Sequence, residues 1–416
     1  MYDPYAEFTK HTLWNGLEVH HVFWDRPWVK LEAVVHAGSR EDVHGKAGLA
    51  HFVEHLVSQN VPGHSCDSMI RFFDSCGGGA KLGSTGYYST RYGFEVAANA
   101  DSLQCALNMF GAMLTGATLS QHIERERSVI EREYNERYPY KEMLEWDLGT
   151  RAALYSGHRL GTWCRPLGRP EEFLAITESD LQAYYDKYYV PENMSLAVVG
   201  GVASLDLISA LKRSPFAVSK DGVRNRIPHP FTPQAPSGER TKVVRVSEYT
   251  NLSVDQASYK AAWAFPADFP WHARKVFNTM LRAILFEEVR ENLGCSYNFS
   301  PGTANFQDLY EYTISGKVSP DAIDSIDSLV QACIEKVPKQ HDLFLRKFNA
   351  LKQGCLMTDL SGQALVESAA EDLAADQRIS SLQEFLDELN KVTFSQMAEV
   401  AEFLCEERKY TFITRP

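Results

Sequence analysis

The chain has 416 residues, 44% of them hydrophobic, and a formal net charge of −12. That length implies more than one domain with substantial cores, and the acidic balance argues against phosphate-backbone binding as a main task, so no nucleic-acid partner is expected. No apolar run approaches a membrane span, Met1-Tyr2-Asp3-Pro4-Tyr5 offers neither a basic nor an apolar leader, and the eight cysteines follow no C-x-x-C spacing. A cytoplasmic protein with free thiols and no membrane partner is the expectation.

In chain order, Leu31 to His36 reads as a strand. The stretch His51-Phe52-Val53-Glu54-His55 follows it. On a helix, H-x-x-E-H sets two imidazoles at i and i+4 on one face, where both can grip one metal ion. Glu54 then stands close enough to act on water at that metal, the inverted form of a zinc-hydrolase motif. Two histidines commonly take a carboxylate as third ligand and leave a fourth position to water. Carboxylates are plentiful in Ile123 to Glu133, whose Arg/Glu interleaving suggests a long helix. Glu124 and Glu131 share a helical face, and so do Glu126 and Glu133. Periodicity alone leaves both pairs open.

Leu196 to Val199 reads as a further strand. Pro215, Pro228, Pro230, Pro233 and Pro236 interrupt the chain, so residues 1–214 and 239–416 are expected to be two domains joined by a linker at 215–238. Beyond it come a strand at Ser258 to Phe265, helical Ala273 to Arg290, and a strand at Tyr310 to Ile314. Strand-helix-strand order in both halves suggests a diverged duplication. The expected fold class is α+β: two related domains, each a mostly antiparallel sheet with helices packed on it. The second half has no H-x-x-E-H, so one metal ion per chain is expected.

Several segments beyond the first motif carry a resemblance. They include Asn15-Gly16-Leu17, Ala37-Gly38-Ser39-Arg40-Glu41, Gly48-Leu49-Ala50 before the motif helix, Gly157-His158-Arg159-Leu160-Gly161 and Tyr189-Val190-Pro191-Glu192-Asn193-Met194. Leu285-Phe286-Glu287-Glu288-Val289-Arg290-Glu291-Asn292-Leu293-Gly294-Cys295-Ser296-Tyr297 adds a second specific signature. Together these resemble the pitrilysin/insulinase family of inverzincin metallopeptidases, in its short, processing-peptidase-like branch, over nearly the whole chain.

The resemblance implies a zinc endopeptidase acting on peptides or unfolded segments. Zn²⁺ would be held by His51, His55 and Glu131, with Glu54 as proton acceptor and Glu124 orienting the site. Glu131 stands 76 residues after His55 and seven after Glu124, which is the basis of that assignment. His158 is expected in a loop, not on the metal. Arg290 and Tyr297 would hold substrate and support the oxyanion, as a cationic fork and a phenol hydroxyl can. Leu82-Gly83-Ser84-Thr85 would form the edge strand on which substrate lies, although relatives usually place Asn-Ala where Leu82-Gly83 stand. The family encloses substrate with four related domains, so a homodimer is implied, with Arg290 and Tyr297 completing the partner protomer's metal site. A heterodimeric peptidase subunit or a non-catalytic assembly subunit are the alternatives, and the intact motif argues against the latter.

Overall fold

The structure, a computed structural model, describes residues 3–138, 141–162, 165–236, 238–245, 256–292, 294, 299–357 and 361–416. They form two compact units, each assembled from separated stretches of chain. The first comprises Met1–Arg137, Cys164–Ile227 and Asp359–Leu382; the second comprises Tyr138–Trp163, Pro228–Thr358 and Gln383–Pro416.

The first unit is built on a six-stranded sheet of β1 (Thr9–Thr12), β2 (Glu18–Phe23), β3 (Trp28–Val35), β4 (Gly79–Lys81), β5 (Thr90–Ala97) and β6 (Met194–Gly200), in the order β1-β2-β6-β3-β5-β4. Only β2 and β6 run parallel. The helices Leu49–Val57, Ala100–Gly116 and Glu178–Tyr188 contribute Phe52, Leu56, Phe110, Met113, Leu181 and Tyr185 to the principal core. The opposite face is apolar too. Val34 of β3 and Ala197 and Val199 of β6 are buried there against Leu365, Val366, Ala369 and Leu373 of the helix Gly362–Asp376. Near-continuous apolar runs in β3 and β6 demand cover on both faces, and residues far along the chain supply the second cover.

The second unit repeats the plan with β7 (Thr241–Arg245), β8 (Ala257–Pro266), β9 (Ser300–Asn305), β10 (Leu309–Val318) and β11 (Tyr410–Arg415), in the order β7-β11-β8-β10-β9. Here only β7 and β11 are parallel. Matching β2, β6, β3, β5 and β4 to β7, β11, β8, β10 and β9 in turn reproduces both the order and the one parallel pair. The fold is thus α+β with a duplicated unit. The helix Trp271–Leu285 follows β8 as Leu49–Val57 follows β3, and the helix His341–Leu356 takes the place of Ile123–Arg137. Lys141–Leu154 packs on β8 and β11 of this second unit, the counterpart of the helix lent to the first.

The linear division at 215–238 therefore needs correcting. Phe216 is fully buried in the first core, Arg224 pairs with Glu18 at 2.7 Å, and Asn225 donates to the His36 carbonyl. Residues up to Ile227 belong to the first unit because proline stops a helix without preventing side chains from packing. Among the described residues, no helix is long and apolar enough to cross a membrane.

Besides His51, three histidines are buried in the first unit. Desolvation holds the imidazoles of His20, His21 and His36 down at about 4. In the unfolded chain they protonate at the ordinary histidine value, so their neutral burial contributes stability that is complete above about pH 6.5. That contribution is lost progressively as pH falls towards 4. Equilibrium denaturation followed from pH 7 to pH 4 should show a steady loss of stability across this window, lessened in a His36→Gln variant. A flat profile would show that these rings do not govern acid sensitivity.

Candidate metal centre

The helix Leu49–Val57 is anchored before its chemistry begins. Gly48 precedes it at φ 98°, a left-handed conformation that glycine adopts without the Cβ clash. Asp42, buried, accepts the backbone N–H of Gly48 and of Ala50, each at 2.8 Å. Its carboxylate thus satisfies donors at the helix start, where negative charge is favoured. Leu49, Ala50, Phe52, Val53, Leu56 and Val57 are buried in the core, and the remaining face presents His51, Glu54 and His55.

The imidazoles of His51 and His55 lie 4.6 Å apart between ring centroids. One carboxylate oxygen of Glu133 stands 3.6 Å from the Nε2 of each. The three ligand atoms lie within 4.8 Å of one another, the one such group found among the described residues. At 3.6 Å the nitrogens are too far for good N–H···O bonds. They match better the edges of a coordination shell, since two ligands each about 2.0–2.1 Å from a tetrahedral ion are about 3.4 Å apart. Two imidazole nitrogens and a carboxylate oxygen are also a donor set that zinc takes with one position open. The residues fit a zinc ion.

The carboxylate brought against the two imidazoles is Glu133, not Glu131 as expected. Ile130 is buried in the first core, and Arg127 crosses the Phe52 ring at 5.1 Å to donate to the carbonyls of Phe173 and Ile176. These fix the rotation of Ile123–Arg137. Relative to Ile130, Glu126 and Glu133 lie within about 60° on one side, whereas Glu124 and Glu131 lie about 100–120° away on the other. Glu131 is accordingly exposed, and Glu124, also exposed, pairs with Arg127 at 3.3 Å. The carboxylate placed to orient a histidine is Glu126, buried, 3.3 Å from His55 Nδ1, and not Glu124. With Nδ1 donating there, Nε2 keeps its lone pair for a metal. Arg125 donates to the other oxygen of Glu126 from Nε at 3.0 Å and Nη2 at 2.8 Å.

The electrostatics follow from burial and this ring of acids. Burial, with repulsion from His55, lowers His51 to about 4. Burial also opposes protonation of His55, but Glu133, Glu54 and Glu126 outweigh it and raise its pKa. Glu133 is lowered, first by the proximity of the His55 imidazole. Burial raises the Glu54 carboxyl above the usual range, against the attraction of His55 and a hydrogen bond from Thr85.

That bond, 2.9 Å from Thr85 Oγ1 to Glu54 Oε2, gives Thr85 a part distinct from substrate binding. A Cβ at residue 83 would come within 2.2 Å of Glu54 Oε1, so Gly83 is what lets the carboxylate lie against this segment. The edge strand itself is β4, Gly79–Lys81, paired with β5. Leu82 packs against the core, and Thr85 rejoins β5 through a single bridge to Thr90. The edge strand thus ends at Lys81 and does not extend over the expected 82–85, because the chain turns in to reach Glu54.

In the second unit, Arg290 is exposed on the π-helical stretch Phe286–Asn292, its guanidinium 4.7 Å from the Phe286 ring centroid and 3.6 Å from Glu291. Tyr297 lies outside the described residues. His158 is in a loop, 2.9 Å from Asp308, and accepts the N–H of Leu160.

Residues 26–156 match the model of the insulinase family, peptidase family M16, and residues 175–341 match that of the peptidase M16 inactive domain. The chain belongs to the pitrilysin/insulinase (M16) family. Among M16 relatives, an uncharacterized zinc protease of Mycobacterium bovis is 25% identical over 312 residues, covering 73% of this chain and 68% of that protein. The uncharacterized zinc protease YmxG of Bacillus subtilis is 22% identical over 415 residues, 96% of each. The same fold occurs in a protease from Helicobacter pylori, with TM-score 0.82 and 21% identity over 98% of this chain and 99% of that one. It occurs also in a peptidase M16 inactive domain from Pseudomonas fluorescens, with TM-score 0.83 and 19% identity over 98% of each.

The insulinase-family match spans both the H-x-x-E-H helix and Glu133, so the geometry can be tested within it. Elemental analysis of purified variants should find Glu133→Gln depleted of zinc and Glu131→Gln carrying as much as the parent chain. The reverse pattern would return the ligand role to Glu131.

Proposed function

We propose that the protein is a zinc-dependent endopeptidase that cuts peptides or unfolded segments. The observation that carries this reading is the convergence of His51, His55 and Glu133, with Glu54 one residue before the second histidine. When bound there, a zinc ion supplies Lewis acidity to a scissile carbonyl and to water. Glu54 accepts the proton that the attacking water loses and returns it to the leaving amine. Its buried surroundings raise its proton affinity, which suits a group that must both take and release a proton. Thr85 holds one carboxylate oxygen and thereby fixes the direction of the other.

The substrate form follows from the sheet. β4 is the outermost strand of its sheet, so its far edge can accept an extended peptide as an added strand. Only flexible segments can extend in this way. Arg290, with Tyr297, is the proposed holder of the substrate carbonyl region.

Replacing Glu54 by Gln removes the proton acceptor while leaving His51, His55 and Glu133 untouched. Zinc content should be unchanged and cleavage of an unstructured peptide should fall by roughly 10²–10⁴-fold. Turnover close to that of the parent chain would overturn the proposed role.

The proposed assembly is a homodimer, because the chain holds two of the related units where the family resemblance implies four. Mixing inactive Glu54→Gln and Tyr297→Phe dimers, with subunit exchange confirmed, should restore activity if each metal site is completed by the partner protomer. Each mixed dimer would then contain one site free of lesions. Exchange without recovery would exclude that arrangement.

A further inference from the structure

We propose that the cleft between the helices Trp271–Leu285 and His341–Leu356 of the second unit binds a carboxylate joined to an apolar body. The cleft encloses about 790 Å³, within the range of small-molecule sites. Its walls include Phe286, Leu351 and Phe385, and three cations, Lys275, Arg282 and Lys347, also line it. Among the described residues no carboxylate lines it, although the whole chain carries 54 acidic side chains against 42 basic ones. Three cations thus face one apolar cleft of an acidic protein.

Lys275 faces aromatic rings, its Nζ 4.8 Å from the Trp271 centroid and 5.0 Å from that of Phe385. No carboxylate among the described residues forms an ion pair with Lys275 or Lys347. Burial lowers the Lys275 ammonium below the ordinary lysine value, a cost that an incoming anion would offset. Arg282 spends Nη2 on the Pro301 carbonyl at 3.3 Å and has further donors to offer.

The position within the duplicated plan points the same way. The two helices that form this cleft correspond to Leu49–Val57 and Ile123–Arg137, which bring together His51, His55 and Glu133 in the first unit. The second copy has lysine and arginine at the interhelical cleft. In the first unit it is fit to hold a cation; in the second, positive charge is built into the chain and the complementary occupant is an anion. Apolar walls select an anion with a hydrophobic body over inorganic phosphate, and a neutral apolar molecule would leave the cations unpaired.

Two sources share this chemistry: a free organic acid, or the C-terminal residue of a peptide. Binding is measured calorimetrically on the full-length Glu54→Gln chain, so that no peptide is cut. The probes are N-acetyl-phenylalanine, its amide, and a short peptide ending in Phe as free acid or amide. Acids should bind about tenfold or more tightly than the matching amides. Lys275→Gln and Lys347→Gln should each weaken acid binding by about tenfold, with melting temperature and zinc content unchanged, and Lys275→Arg should retain it. Preference for the peptide acid over the small acid assigns the site to peptide C-termini, and equal binding assigns it to small acids; either supports the proposal. Equal affinity for acid and amide, or parent-like binding by a Lys275→Gln/Lys347→Gln double variant, would overturn it. Neither result depends on whether the chain is a peptidase.

Discussion

The burial of Ile130 is the constraint on which the metal centre depends. It sits in the first core and thereby sets the rotation of a helix that is otherwise charged along most of its length. Rotation by one residue, about 100°, would carry both Glu126 and Glu133 away from the imidazoles. Apolar packing at one position thus decides the electrostatics at two others. Arg127 reinforces the same rotation by lying over Phe52 and bonding the carbonyls of Phe173 and Ile176. Its charge is used to pin a helix rather than to bind anything foreign.

Much of this was legible in the residues. H-x-x-E-H placed His51, Glu54 and His55 on one helical face without any knowledge of the fold, because i and i+4 spacing is a property of the helix alone. Glu133 was not singled out, for a reason internal to that helix. Two carboxylate pairs share the same seven-residue spacing, and only the apolar positions distinguish them. Ile123 and Ile130, themselves seven apart, mark the inward stripe, and Glu126 and Glu133 flank it; reading that stripe first would have chosen them. Asp42 carried no comparable signal, since it reaches the start of the H-x-x-E-H helix across a loop. The strands β3, β6, β8 and β10 were visible as apolar runs, and their repetition foretold a duplicated α+β plan.

The domain boundary was harder to read because it is not a point on the chain. Each sheet must be covered on both faces, and the helix that covers the outer face comes from the other part of the sequence: Gly362–Asp376 for the first unit, Lys141–Leu154 for the second. Proline clustering at 215–238 marks the end of regular structure but carries no information about where Phe216 packs. Long-range covers of this kind tie the stability of the first unit to residues that follow the second sheet's β10, so neither linear half is a self-sufficient folding unit.

Gly83 shows how a local departure can be compensated. The resemblance implies a strand with an amide at 82 and a small side chain at 83, whereas here Leu82 turns into the core and residue 83 has no side chain. The space released is filled by the carboxylate of Glu54, which Thr85 then holds. What the chain gives up in side-chain donors at 82, it regains in a fixed orientation of the Glu54 carboxylate. Restoring an alanine at 83 would place a methyl group within 2.2 Å of Glu54 Oε1, so Glu54 would have to swing away from Thr85. Gly83, Glu54 and Thr85 therefore act as one structural unit, and a change at Gly83 or Thr85 is a change to the setting of the Glu54 carboxylate.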